Sequence, residues 1–167
     1  MSVPGYLKID QDGTILTQDC CGVDSLGSSA VDGHEEECMV QAVEHAIVFP
    51  IDPQSGNPTG RRVHRPIVIT KVIDKSTPLL MRACCRSMAI NAELTLCRVN
   101  SRGVQEPYYK YTFSDARIVQ IETVMPDARD RSLESITPYE RISIFYRDIS
   151  EAHLIATTEE SDSWENE

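Results

Sequence analysis

The stretch from Asp52 to Cys85, DPQSGNPTGRRVHRPIVITKVIDKSTPLLMRACC, constrains the fold of this chain more than any other. Residues 52–66 pack three prolines, two glycines and three arginines into one connection. Connections longer than about a dozen residues are uncommon in compact domains and belong either to function or to disorder. This one runs directly into Ile67-Val68-Ile69-Thr70-Lys71-Val72-Ile73, a β-branched run of the kind buried on both faces of a sheet. Ser76-Thr77-Pro78 then opens a helix over residues 76–88, with a hydroxyl residue at the N-cap and proline in the first turn. Leu80, Met81, Cys84 and Met88 share one side of that helix, and Arg82 and Arg86 the other. The stretch therefore reads as an ordered, functional arm, a central strand and one covering helix.

The remainder reads as β structure. Val3–Ile9 and Thr14–Thr17 are short strands around a turn, Cys20–Gly33 is a loop, and Glu37–Ile51 is one or two strands. Ala92–Val99 and Tyr108–Phe113 form a hairpin around Asn100–Gly103. Arg117–Met125 and Tyr139–Tyr146 flank a polar crossing loop, Pro126–Pro138, and Asp148–Ala156 adds an edge strand. Residues 157–167 form an acidic, loosely held tail, with five acids and no base from Glu159 to Glu167. About eight short strands and one helix make a sandwich or barrel, and 167 residues suffice for one domain over the whole chain, 1–167.

Charge is segregated along the chain. Residues 1–60 carry one basic and ten acidic side chains, residues 61–110 ten basic and three acidic, and residues 111–167 five basic and thirteen acidic. A basic middle either cancels against its flanks within one fold or docks the basic face of one copy on the acidic face of the next. The net charge of −10 argues against nucleic acid as a partner. The opening MSVPGYLKIDQDG lacks the basic start and apolar core of a secretory signal, and no apolar run approaches the ~18 residues of a membrane span. The expectation is a cytoplasmic protein, without membrane insertion, that leaves the cell only by a signal-independent route. The six cysteines, at 20, 21, 38, 84, 85 and 97, make no C-x-x-C pair and read as reduced, with Cys84 and Cys97 the best candidates for burial.

No constellation carries chemistry. His34, Glu35, Glu36, Glu37 and Cys38 are metal-ligand types, yet they lack the helical H-E-x-x-H spacing and read as solvated charge leading into a strand. A serine or cysteine nucleophile would need a positioned base, and no G-x-S-x-G elbow is present. Gly56–Arg62 is not a phosphate loop, since Pro58 removes an amide such a loop uses. Arg61-Arg62-Val63-His64-Arg65 is basic but lacks interleaved aromatics. A β domain with a long arm, segregated charge and no catalytic spacing points to assembly, because a symmetric ring lets every copy both give and receive an arm.

Four blocks resemble the haemolysin-coregulated protein (Hcp) family, the inner-tube proteins of type VI secretion. They are Tyr6-Leu7-Lys8-Ile9; Gly33-His34-Glu35; the arm from Asp52-Pro53-Gln54-Ser55-Gly56 through Arg62-Val63-His64-Arg65-Pro66; and Thr70 through Leu80. Asp162-Ser163-Trp164 also resembles the end of one subgroup. The resemblance implies a mainly β fold, a β-barrel of two antiparallel or mixed sheets with one flanking helix. It implies a homohexameric ring, stacked with others into a tube that a contractile sheath drives out behind a VgrG-type spike, with small effectors in the lumen. It implies neither catalysis nor a cofactor or metal, and it places ring-stacking contacts on Asp52, Pro53, Gln54, Ser55, Gly56, Asn57, Arg61, Arg62, His64 and Arg65. Arg82 and Arg86 would face the lumen. Two departures bear on lumen chemistry: the number of cysteines, open to adventitious disulfides after export, and the residues Ala89 to Asn91, where the family carries a Gly- or Lys-containing turn. The rival readings are a secreted effector or enzyme on the same scaffold, and a monomeric ligand-binding β-barrel. Exposed charges more than about 10 Å apart are screened at 0.1 M salt, so stacking should weaken as salt rises.

Overall fold

The structure, a computed structural model, describes residues 3–165. In chain order its elements are β1 (Gly5–Gln11), β2 (Thr14–Ile15), α1 (Val23–Leu26), β3 (Cys38–Glu44), β4 (Ile47–Val48), β5 (Val63–His64), β6 (Ile67–Val72), α2 (Thr77–Cys85), β7 (Ile90–Val99), β8 (Gln105–Val124), β9 (Tyr139–Phe145), β10 (Asp148–His153) and β11 (Thr158–Ser163). The fold is mainly β, and every strand pairing is antiparallel.

The β-branched run at 67–72 sits centrally, with β3 on one side and β9 on the other. Ile67, Ile69 and Lys71 point inward and are fully buried, while Val68, Thr70 and Val72 are half-covered, so this strand alternates in place of the two-faced burial its composition predicts. β8 closes the sheet. Its first half pairs with β7, through Ala116, and with β10; its second half pairs with β9 from Arg117 onward. A register shift lies between Ile118 and Gln120, and Asp115 sits in the left-handed region at φ 45°. Such irregularities are how a long strand turns a barrel corner. The path β1–β3–β6–β9–β8–β7 thus returns to β1, and β10 and β11 extend it outward as a flap. What reads in the sequence as two strands, Tyr108–Phe113 and Arg117–Met125, is this one bent strand.

The inward residues Leu7, Ile9, Leu94, Phe113, Ile142 and Ile144 fill the barrel. Helix α2 closes over it through Leu80 and Ala83, whereas Met81, expected on the apolar side, is 57% exposed. The helix ends at Cys85, not 88, because Ser87 turns left-handed at φ 48° and the Met88 amide donates back to the Ala83 carbonyl. Its start also differs from expectation. The Ser76 side chain makes no capping bond; its amide and hydroxyl both donate to Asp74 Oδ1, at 2.8 and 2.6 Å.

That carboxylate belongs to a buried ionic cluster. Lys71 Nζ lies 2.9 Å from Asp74 Oδ1 and 2.7 Å from Glu140 Oε1, and all three side chains are fully shielded from solvent. The Thr77 hydroxyl donates to Glu140 at 2.9 Å and accepts from the Asp74 amide at 3.2 Å. Burial opposes the Lys71 charge, but Cys38, Asp74 and Glu140 outweigh it and hold its pKa above the ordinary lysine value. The cluster joins β6, β9 and the start of α2.

The chain's end corrects a further expectation. Residues 158–163 are β11, an ordered edge strand paired with β10 from Asp148–Ser163 to His153–Thr158. The last two residues of the expected tail, Asn166 and Glu167, lie outside the described residues.

Candidate functional site

The arm continues the β3–β6 pair past one end of the barrel. The Arg65 amide donates to the Ala46 carbonyl at 3.0 Å, then Ile47 faces His64 and Val48 faces Val63. Farther out, the Thr59 amide donates to the Pro50 carbonyl at 2.9 Å, and Ile51 bridges Pro58. The tip closes on Asp52. Its amide donates to the Asn57 carbonyl, its own carbonyl accepts from Gly56, and its carboxylate accepts from the Gln54 amide and the Ser55 hydroxyl. Those donors, the Gln54 amide foremost, hold the Asp52 carboxyl below the usual carboxylate range. Gly56 takes φ +69° at the turn, a conformation glycine adopts without strain. The arm is thus tied from base to tip to its own opposite strand, yet its apolar side chains face solvent. Ile47, Phe49, Ile51 and Val63 are 47%, 53%, 62% and 43% exposed.

The base of the arm is clasped by the last strand. Asp162 of β11 takes both prongs of the Arg62 guanidinium, and the same guanidinium donates to the Ser163 carbonyl at 2.8 Å. His64 Nε2 meets Asp162 Oδ2 at 2.8 Å, and its Nδ1 meets the Tyr146 hydroxyl at 2.9 Å. Tyr146 also bonds His45 Nε2 at 2.7 Å, so one hydroxyl joins the two histidines that flank the arm. The chain is satisfied when His64 donates to Asp162, Tyr146 donates to His64, and His45 donates to Tyr146. Arg62, and to a lesser degree His64, hold the Asp162 carboxyl below its usual range against partial burial. Burial lowers the His45 pKa, reinforced by His64 and opposed by Glu151 4.0 Å away. Burial also raises the Tyr146 hydroxyl far above the ordinary tyrosine value. Trp164 tilts against His64 and Phe145, with ring centres 5.5 and 5.3 Å away, and Trp164, Phe145 and Tyr146 border a groove of about 440 Å³.

Of the residues singled out from the sequence, Pro53, Gln54, Ser55, Gly56, Asn57, Arg61 and Arg65 are exposed along the arm, and Asp52 and Arg62 are half-buried. His64 is buried, 3% exposed, and its ring is spent on Tyr146 and Asp162, which makes it an internal anchor of the arm. Arg82 and Arg86 are exposed on α2 and at its C-cap. Sequence reasoning missed His45, Tyr146 and Trp164 as parts of this site. No local spacing signals them, because the clasp joins positions about a hundred residues apart.

Two other features differ from expectation. Cys20 and Cys21, read as loop cysteines open to oxidation, are buried along with Cys38, whereas Cys84 and Cys97 are only half-buried. His34 stacks flat on Tyr6 at 3.4 Å and bonds Glu37 at 2.6 Å.

Residues 6–153 match the family model described as "Type VI secretion system effector, Hcp". The "Major exported protein" of Pseudomonas aeruginosa is 39% identical over 168 residues, covering 98% of this chain and 96% of that one. A structure titled "Crystal structure of Hcp protein" superposes with a TM-score of 0.93 at 32% identity, covering 98% of this chain and 99% of the other. The "Secreted protein Hcp3 from Pseudomonas aeruginosa" gives 0.82 at 32% identity, with the same coverage.

Proposed function

Since this chain belongs to the type VI secretion system effector Hcp family, we propose that it is a non-enzymatic tube subunit whose homohexameric rings stack through the arm. The observation that carries this reading is the arm itself. It is ordered to its tip and clasped at its base, yet it holds Ile47, Phe49, Ile51 and Val63 out in solvent. Hydrogen bonding of that completeness is wasted on a connection with no partner, and exposed apolar patches mark association surfaces. By position, Asp52 to Asn57 at the tip and Arg61 and Arg65 on the flank meet the neighbouring ring. The tube would leave the cell by the same signal-independent route, driven by a contractile sheath, tipped by a VgrG-type spike and carrying small effectors past Arg82 and Arg86. The ligand-binding alternative has little room, because Leu7, Ile9, Leu94, Phe113 and Ile142 occupy the barrel interior.

Deleting Gln54–Arg61 tests the reading. The expected product is a folded hexamer by native mass that neither forms tubes under the electron microscope nor reaches the medium. Normal tubes from the deletion would overturn the arm's role, and a monomeric wild-type protein would overturn the ring.

A further inference from the structure

We propose that the base of the arm is a one-proton switch: between neutral and mildly acidic pH, His45 and His64 take up a single proton between them, and the Tyr146 hydroxyl reverses its hydrogen bonds to carry it toward Asp162. The switch governs how the arm is held and operates whatever the arm touches.

Five groups form one line across the base of the hairpin. His45 Nδ1 lies 4.0 Å from Glu151 Oε1, and His45 Nε2 is 2.7 Å from the Tyr146 hydroxyl. That hydroxyl is 2.9 Å from His64 Nδ1, and His64 Nε2 is 2.8 Å from Asp162 Oδ2. A carboxylate stands at each end, and the hydroxyl between the rings has a single proton to give. Ionised Asp162 only accepts, so His64 Nε2 carries a proton in every state of the line. With both rings neutral, His64 Nδ1 is bare and takes the Tyr146 proton, and the Tyr146 oxygen accepts from His45 Nε2–H. His45 Nδ1 is then bare too, with its lone pair turned to the Glu151 carboxylate. That end is the one mismatch in the neutral line.

One added proton removes it. The proton enters from water at His45 Nδ1, beside the part-exposed Glu151. His45 Nε2 passes its own proton to the Tyr146 oxygen, and Tyr146 passes its own to His64 Nδ1. Tyr146 now accepts from His64 and donates to His45 Nε2, while His45 Nδ1–H points at Glu151. The charge comes to rest on His64, whose carboxylate is in hydrogen-bond contact, and not on His45, whose carboxylate is 4.0 Å off. A second proton has no place. It would aim two N–H donors at the Tyr146 oxygen, leave the hydroxyl proton without an acceptor, and set like charges on both sides of it. The two rings therefore titrate as a pair. The arm gains a charge at its base without giving up a hydrogen bond.

The elements packed around the line fit this arrangement. Asp162 of β11 is held ionised by Arg62 of the arm, whose guanidinium also opposes the charge on His64. Glu151 of β10 accepts from Tyr109 of β8 at 2.7 Å, and Tyr111 of β8 packs edge-on against His45. Glu44, beside His45 at the end of β3, is exposed and faces Arg141 at 3.9 Å. Burial weighs against a charge on His45, and His64 adds to that effect.

The test is solid-state nitrogen NMR of the full chain, labelled in its histidines, at pH 7.5 and pH 5, with His45→Gln identifying the His45 signals. At pH 7.5 both rings should carry their proton on Nε2. At pH 5 His64 should be protonated on both nitrogens, and His45 should remain singly protonated with its proton moved to Nδ1. Two doubly protonated rings at pH 5, a charge on His45 in place of His64, or a pair that takes up no proton would each overturn the proposal. Tyr146→Phe removes the hydroxyl that joins the rings. In that variant each ring should take up its own proton and His45 should not change tautomer; a tautomer change that persists overturns the relay. Should the variant not fold, the wild-type spectra decide alone.

Discussion

Asp162 and Arg62 lie a hundred residues apart in the chain and meet in a two-pronged ion pair between the edge strand β11 and the base of the arm. The acidic tail is thus the part of the molecule that fixes the arm. The same carboxylate holds His64, which reaches through Tyr146 to His45 on the other side of the hairpin. Any stance the arm takes toward a neighbouring copy is referred to the barrel through these side chains.

Asp162→Ala should therefore free the arm without unfolding the barrel. The pair is about a third exposed on each side, so screening keeps its contribution to global stability small. Hydrogen exchange is the appropriate measurement. Protection at Val63, His64 and Thr59 should drop on the order of tenfold, as charge-assisted bonds at the base are lost, while Ile69 and Leu94 stay protected. Unchanged protection along the arm would show that the hairpin holds its stance without β11.

Lys71→Met should be far more damaging than its position in an apolar strand suggests. It leaves Asp74 and Glu140 buried with no counter-charge, and breaking a buried pair from one side costs about 3–5 kcal/mol. Adding Asp74→Asn and Glu140→Gln to the variant should recover much of that loss, because the unpaired charges go with them. Urea unfolding of the single and triple variants decides it; equal midpoints would mean that the carboxylates tolerate isolation.

The contrast between these two sites shows what the sequence can carry. The arm, the central strand and α2 are legible because their signals are local: turn residues at fixed offsets, a β-branched run, a proline in a first turn. The covering face of α2 reads wrongly at Met81, which is exposed while Leu80 and Ala83 are the buried positions. Lys71 hides within an apolar run, and nothing in Ile69-Thr70-Lys71-Val72 says that its ammonium will meet Glu140 across the sheet. The same holds for the clasp. Asp162 sits in a stretch whose composition reads as a solvated tail, and only its pairing with β10 and its reach to Arg62 turn that stretch into structure. The cysteines mislead for a related reason. Cys20 and Cys21 lie in a segment without periodicity that nonetheless packs down on the barrel end, so composition suggests exposure where the fold gives burial.

Stability should fall as pH drops through the histidine range, and His45 should account for it. Its folded pKa lies below the ordinary value of about 6.5, chiefly through burial against Tyr146 and Tyr111, with His64 adding to the effect and Glu151 opposing it. The unfolded chain then binds the proton first, so the contribution is fully present above about pH 6.5 and is lost progressively below it. Asp162, depressed by Arg62, adds a second loss only in the carboxylate range near pH 4 and below. Melting temperatures of wild type and His45→Gln between pH 7.5 and 5 check this. The wild type should lose stability over that interval and the variant should be flat; parallel curves would place the titration elsewhere.

Thiol chemistry should sort the six cysteines by burial. Burial pushes Cys20 and Cys21 up to about 11, with Asp74 assisting at both, and raises Cys38 well above the ordinary thiol value. At pH 8 a thiol of that pKa is thiolate about one part in a thousand, and thiolate is the reacting species. Cys85 is exposed, and Cys84 and Cys97 are half-buried. A disulfide reagent at pH 8 should thus show one fast thiol, two slower ones and three that report only after urea. Cys85→Ser should remove the fast phase and, with it, covalent dimers in oxidising medium. A fast phase that survives the substitution would mean that the segment around Cys20 and Cys21 opens readily, and that the barrel end it covers is less firmly closed than its packing indicates.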